Sequence, residues 1–139
     1  MANQLTTQLI IDGPRNAIVK VTAVLDTSDQ ALTTVVDPTT LFYITGGNKP
    51  PRVRLNHIDY SISDQLEVQT FWGGTPNQPL LPLAGRGRMS FDDFKGIPDN
   101  ATAADGTIKL QTTGWQSGIQ VFTVTLELIK EGLIYTGVQ

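Results

Sequence analysis

Few residues in this chain are equipped for chemistry. His57 is the single histidine of 139 residues, and Asp59 stands two positions away. That spacing puts two side chains on one face of a regular strand, and an imidazole beside a carboxylate is the least that general-base chemistry needs. A change of hydrophobic phase at the same place spoils the geometry, and no serine stands in a strained nucleophile turn. The pair therefore reads as a half-exposed strand histidine beside a surface acid, and the chain as no enzyme. Asp92, Asp93, Asp99 and Asp105 form an acidic group that raises the question of calcium. Hard-cation loops need oxygen ligands at tight alternating spacing, and Ala101, Ala103 and Ala104 fall where ligands should be. Those aspartates read as turn formers, and no cofactor is expected.

Gly85-Arg86-Gly87-Arg88 sets two arginines among glycines without the spacing of a phosphate loop. With Arg52 and Arg54 it suits protein docking, since the guanidinium is a planar group with many donors; solvated turn residues are the plain alternative. Trp72 and Trp115 are each followed or preceded by glycine. Tryptophans on a β-domain can stack on sugar rings, or serve in the core or at an oligomer contact. There is no cysteine, which excludes a disulfide scaffold, a thiolate metal site and a cysteine nucleophile. The net charge of −3 excludes a strongly basic nucleic-acid binder and a polybasic membrane-surface protein.

The elements that must position these residues are strands. Ala17, Val19, Val21, Ala23 and Leu25 alternate with polar or outward residues, and Gly13-Pro14 separates them from an opening strand over residues 4–12. Short strands follow at residues 32–37 and 41–45, split by Asp37-Pro38, and Gly46-Gly47-Asn48 turns the chain. Val53 and Leu55 lie on one parity, while Ile58, Tyr60 and Ile62 lie on the other. A period of two slips only by gaining a residue, which predicts a β-bulge near Asn56–His57. Leu66, Val68, Thr70 and Trp72 continue the pattern. Ile108, Leu110 and Thr112 follow Asp105-Gly106, a hairpin-type dipeptide, and Phe122 to Leu128 gives the clearest alternation. The sum is about eight strands, nine if residues 133–138 pair. The expected fold is all-β: one domain over residues 1–139, a two-sheet antiparallel sandwich of jelly-roll type.

Residues 73–106 break the regularity. They hold four prolines and five glycines before Gly106, yet also Leu80, Leu81, Leu83, Met89, Phe91, Phe94 and Ile97, which want burial. This segment is expected to be an ordered arm lying on the sandwich, a neighbouring subunit or a partner, with one helical turn near Ser90-Phe91-Asp92-Asp93. Trp72, Leu80, Leu81, Leu83, Arg86, Arg88, Phe91 and Phe94 are then the expected partner-binding residues.

The series Phe71-Trp72-Gly73-Gly74, Pro82-Leu83-Ala84-Gly85-Arg86-Gly87 and Phe94-Lys95-Gly96-Ile97, followed by Asp105-Gly106-Thr107-Ile108, Thr112-Thr113-Gly114 and Phe122-Thr123-Val124-Thr125-Leu126, resembles small virion proteins of tailed bacteriophages that decorate or cement the capsid. The likeness spans about residues 53–130. It implies a capsid decoration protein on the virion exterior, bridging copies of the major capsid protein. Self-association is also expected, a trimer before a dimer. A carbohydrate-binding module using Trp72 and Trp115 is the alternative from another class. The first eight residues lack the basic and apolar regions of a secretory signal, so synthesis in a host cytoplasm is expected.

Overall fold

The computed structural model describes residues 3–13, 16–41, 52–94, 96–99, 101 and 106–131, with the side chains of Thr39, Arg52, Phe94 and Glu131 outside that description. Nine strands are found among the described residues: β1 (Gln4–Asp12), β2 (Asn16–Leu25), β3 (Thr33–Val36), β4 (Arg52–Ile62), β5 (Glu67–Trp72), β6 (Gln78–Leu83), β7 (Arg86–Ser90), β8 (Ile108–Thr113) and β9 (Gln120–Glu131). They form a five-stranded sheet in the order β1-β2-β9-β4-β7 and a four-stranded sheet in the order β3-β8-β5-β6.

The pairing has a simple rule. β2 pairs with β9, β3 with β8, β4 with β7 and β5 with β6, all antiparallel. The chain is one long ribbon folded back on itself and then rolled into two sheets, which defines a jelly roll. β1 stands outside that set of eight and adds to the free side of β2.

Alternation decides which side chains meet. Ala17, Val19, Val21, Ala23 and Leu25 of β2 are buried, as are Phe122, Val124, Leu126 and Leu128 of β9. From the other sheet come Val68 and Trp72 of β5 and Ile108 and Leu110 of β8. Each such side chain, fully withdrawn from water, contributes roughly 1.5–3 kcal/mol. The predicted bulge is present: the β4–β9 register shifts between Leu55 and His57, so Asn56 is the extra residue. Leu55 before it and Ile58 after it are therefore both fully buried.

The proline-rich segment is not an arm. Its residues 78–83 and 86–90 are β6 and β7, one in each sheet, and Ala84-Gly85 carries the chain between them. Leu83 enters the core, and Leu80, Leu81, Met89, Phe91 and Ile97 pack against it. Their need for burial is met within this chain. A 3₁₀ turn at Asp92–Phe94 replaces the expected helical turn. Phe91 and Ile97 then lie along the β4 bulge, with the Phe91 N–H donating to Asn56 O and the Ile97 N–H to Leu55 O, both at 2.8 Å. β8 pairs with β3 and β5 and not with β7, the described strand before it, while Asp105 of the expected hairpin dipeptide lies outside the described residues. Of the strand expected at residues 41–45 only Leu41 is described, and it lies in a bend; the turn at 46–48 and the strand at 133–138 lie outside the described residues.

Three polar devices fix the ends and edges. Asn3 Oδ1 accepts the N–H groups of Asp26 (2.7 Å) and Thr27 (3.0 Å), tying the start of β1 to the loop after β2. At the other end Lys130, whose side chain is fully buried, ion-pairs with Asp12 and donates to Gly13 O. Thr70 faces the core of β5 and uses one hydroxyl twice, accepting from Leu81 N–H at 3.0 Å and donating to Leu81 O at 2.9 Å.

Candidate functional site

Two of the expected contact residues point inward. Trp72 is 1% exposed and Leu83 2% exposed, because their parity on β5 and β6 is that of the core. Neither can meet a partner, and this corrects the sequence expectation. Leu80, Leu81 and Phe91 are half-buried props under β6 and the 3₁₀ turn. The side chain of Phe94 lies outside the described residues. Among the described side chains of this set, Arg86 and Arg88 alone remain displayed, both exposed on the edge strand β7.

Arg88 is already engaged. Its guanidinium reaches Asp59 at 3.0 Å and Glu127 at 3.3 Å, across the outer face of the five-stranded sheet. Pairing puts Arg88 opposite Asp59 and Asp59 opposite Thr125, so Arg88 and Asp59 are cross-strand neighbours on that face. Asp59 is thus taken by Arg88 and not by His57. The bulge falls at Asn56, one residue before His57, so His57 and Asp59 do share the outer face. His57 Nε2 instead lies 3.1 Å from Asp92 Oδ1 in the 3₁₀ turn. His57 Nδ1 and Asn56 Oδ1 are buried without a hydrogen-bond partner. The histidine is a brace between the bulge and the turn that follows β7.

The acidic group disperses. Asp92 braces His57, Asp99 is buried and accepts the Ala101 N–H at 3.1 Å, Asp93 is exposed, and Asp105 lies outside the described residues. No cluster of three or more acidic or histidine side chains able to hold a metal occurs among the described residues.

Arg86 borders a cleft of about 500 Å³ at one end of the sandwich, walled by Ser63, Asp64, Gln65, Gln120 and Val121. Three turns converge to make it. Ile62 N–H donates to Gly85 O at 2.8 Å, binding the β6–β7 connection to β4, and Ser63 N–H donates to Val121 O at 3.0 Å, binding the β4–β5 turn to β9. Ser63 Oγ returns the favour by accepting Val121 N–H at 3.0 Å. Beside this polar cleft stand Ile119, 61% exposed, and Val121, 48% exposed. A guanidinium, amide side chains and two bare aliphatic groups on a hydrogen-bonded frame can take carboxylates or backbone carbonyls of another protein. Sequence reading found Arg86 through its glycine setting. It missed Ile119, which lies in the loop before β9, and Val121, which the alternation from Phe122 places on the outer face.

The two tryptophans do not make a sugar platform. Trp72 is interior, and Trp115 is half-buried against the core with its indole N–H donating to Gly118 O at 3.0 Å.

The fold defines the class: an all-β, two-sheet jelly-roll sandwich with one strand appended. Searches of known protein families, of curated proteins and of solved structures return no match for this chain.

Proposed function

We propose that this chain is a virion structural protein of a tailed bacteriophage, a decoration protein that seats on the capsid exterior and bridges copies of the major capsid protein. The observation that carries the reading is the cleft at the β6–β7 corner, where Arg86 and Val121 stand exposed on a frame of backbone hydrogen bonds, with exposed Ile119 next in the chain to Gln120 of its wall. The sequence resemblance over residues 53–130 supports it, since it covers β4 to β9 and so includes every wall of that cleft. The jelly roll is also a recurrent capsid architecture, although fold alone carries function only by analogy.

The mechanism is mechanical. Arg86 supplies fork-shaped donors to carboxylates or carbonyls at a seam between capsid subunits. Ile119 and Val121 lose their water on docking, and full burial of such a side chain yields roughly 1.5–3 kcal/mol each as an upper bound here. The binding of many copies adds these small terms over the shell, so that opening any seam requires several contacts to break at once.

The test is quantitative mass spectrometry of purified virions, followed by rebinding of the protein to stripped capsids. High copy number and saturable rebinding are expected. Arg86→Ala and Ile119→Asp should each weaken rebinding while leaving the melting transition of the free protein nearly in place. Absence from particles, or a copy number of only a few, rejects the proposal.

A further inference from the structure

A sheet edge offers unpaired N–H and C=O groups, and proteins blunt such edges with proline, with lysine or arginine, or by keeping them short. This sandwich has four edges among its described strands. β3 is four residues long and runs into Pro38. β6 carries Pro79 and Pro82, and β7 carries Arg86 and Arg88. β1 is nine residues, Gln-Leu-Thr-Thr-Gln-Leu-Ile-Ile-Asp, with no proline and no basic side chain. Its one charge, Asp12, is committed to Lys130. A bulge at Ile10 disturbs the far end, but Gln4 to Leu9 pair with β2 without a break.

β1 is also bare. Leu9, Ile10 and Ile11 are 47%, 47% and 50% exposed in a row. Leu5, Thr7 and Leu9 oppose Ala23, Val21 and Val19, so they continue the inner face of the sheet. Beyond β2 the second sheet covers that face only in part, leaving a groove between Thr7 and Leu9 on one side and Val35, Val36 and Leu41 on the other. The strand is nevertheless fixed at both ends, by Asn3 at its start and by Lys130 at its end.

We propose that β1 is a self-association edge, which pairs antiparallel with β1 of a second copy about a two-fold axis and joins the two five-stranded sheets into one of ten strands. The occupant is a second copy for two reasons. A chain of net charge −3 repels itself except where its surface is neutral, and the Gln4–Leu9 run carries no charge. The strand is also self-complementary in one register. Pairing must keep inner faces together, so only residues of equal parity can oppose. With the axis at Thr7, Leu5 opposes Leu9 on the inner face, Thr6 opposes Gln8 outside, and Thr7 meets Thr7. The wall formed by the edges of β1 and β3 is about 30 Å long and, with one layer of side chains, about 20 Å across. That footprint is on the order of 600 Å², close to the ~800 Å² per partner of a standard stable interface. The inference stands apart from the capsid reading, since it concerns the free protein and the side of the sandwich away from Arg86.

The absence of cysteine makes the register testable. Opposed residues on paired strands have Cα atoms about 4.5–5.5 Å apart, inside the window a disulfide can bridge. Thr7→Cys should oxidise to a covalent homodimer on the order of tenfold faster than Thr6→Cys or Gln8→Cys, whose own counterparts fall beyond disulfide reach. Gln78→Cys on the β6 edge gives the collisional background. Sedimentation of the unmodified protein should show a monomer–dimer equilibrium that Leu9→Lys shifts toward monomer. The proposal is overturned if the unmodified protein stays monomeric or forms a trimer, or if Thr7→Cys links no faster than Gln78→Cys.

Discussion

Replacing Gly114 by alanine should destabilise the fold far more than the same change at Gly118, four residues away. Both glycines have positive φ, +94° and +74°. An L-residue held in that region loses about 1–2 kcal/mol. The difference lies in space. A Cβ on Gly114 would stand 2.3 Å from the backbone carbonyl oxygen of Gln65, while one on Gly118 would meet nothing within 4 Å. Gln65 cannot simply retreat, because the turn it occupies is closed by Leu66 N–H donating to Ser63 O at 3.0 Å. Forcing about 1 Å of backbone movement there resembles overpacking of a core, which costs typically 1–3 kcal/mol. Alanine stiffens the unfolded chain at either site and returns about 0.4–1 kcal/mol. The net expectation is a loss of roughly 2–4 kcal/mol for Gly114→Ala and roughly 0.5–1 kcal/mol for Gly118→Ala. Urea titration followed by tryptophan fluorescence separates them: at a slope of about 2 kcal/mol per molar, the first midpoint falls by roughly 1–2 M and the second by less than about 0.5 M. Equal shifts, or a larger one at Gly118, would refute the contact with Gln65.

Trp72→Ala should cost about 3–5 kcal/mol in the same titration, and the folded fraction should bind partners as before, since the indole lies wholly inside. Thr70→Val should lose about 1–3 kcal/mol by leaving Leu81 N–H and C=O without their shared hydroxyl, and Thr70→Ser should recover most of it. Arg88→Ala should move stability by less than about 1 kcal/mol, with the difference vanishing in high salt, because its ion pairs with Asp59 and Glu127 are solvent-exposed.

Most of the sheet was legible because burial on one face writes a period of two. β2, β5, β8 and β9 show it, and the phase break in β4 located the bulge at Asn56. β6 and β7 did not show it, for a physical reason. Both are edge strands, where prolines on β6 and glycine with arginine on β7 replace the alternating pattern that a central strand needs. The seven apolar residues on and just after these strands did signal burial, but composition does not say whose core receives them. The site was half legible. Arg86 stood out by its setting, whereas Trp72 and Leu83 were assigned to a partner although their parity belonged to the interior. The brace from His57 to Asp92 spans 35 positions of sequence and follows only from the docking of Phe91 and Ile97 along β4.

The central place of β9 has a consequence for synthesis. β9 pairs with β2 on one side and β4 on the other, so without it the five-stranded sheet falls into the β1–β2 and β4–β7 pairs. A ribosome adding about 5–20 residues per second takes roughly 5–20 s to travel from the end of β2 to the end of β9. Throughout that interval the inner faces of β1–β2 and β4–β7 have no strand between them, and isolated two-stranded pairs are marginal in water. The nascent chain therefore holds its apolar surface open until its last described strand arrives, then closes both halves in a single late step. Mutations that weaken β9 should be felt first as aggregation during translation, before any change in the finished protein's melting temperature is seen.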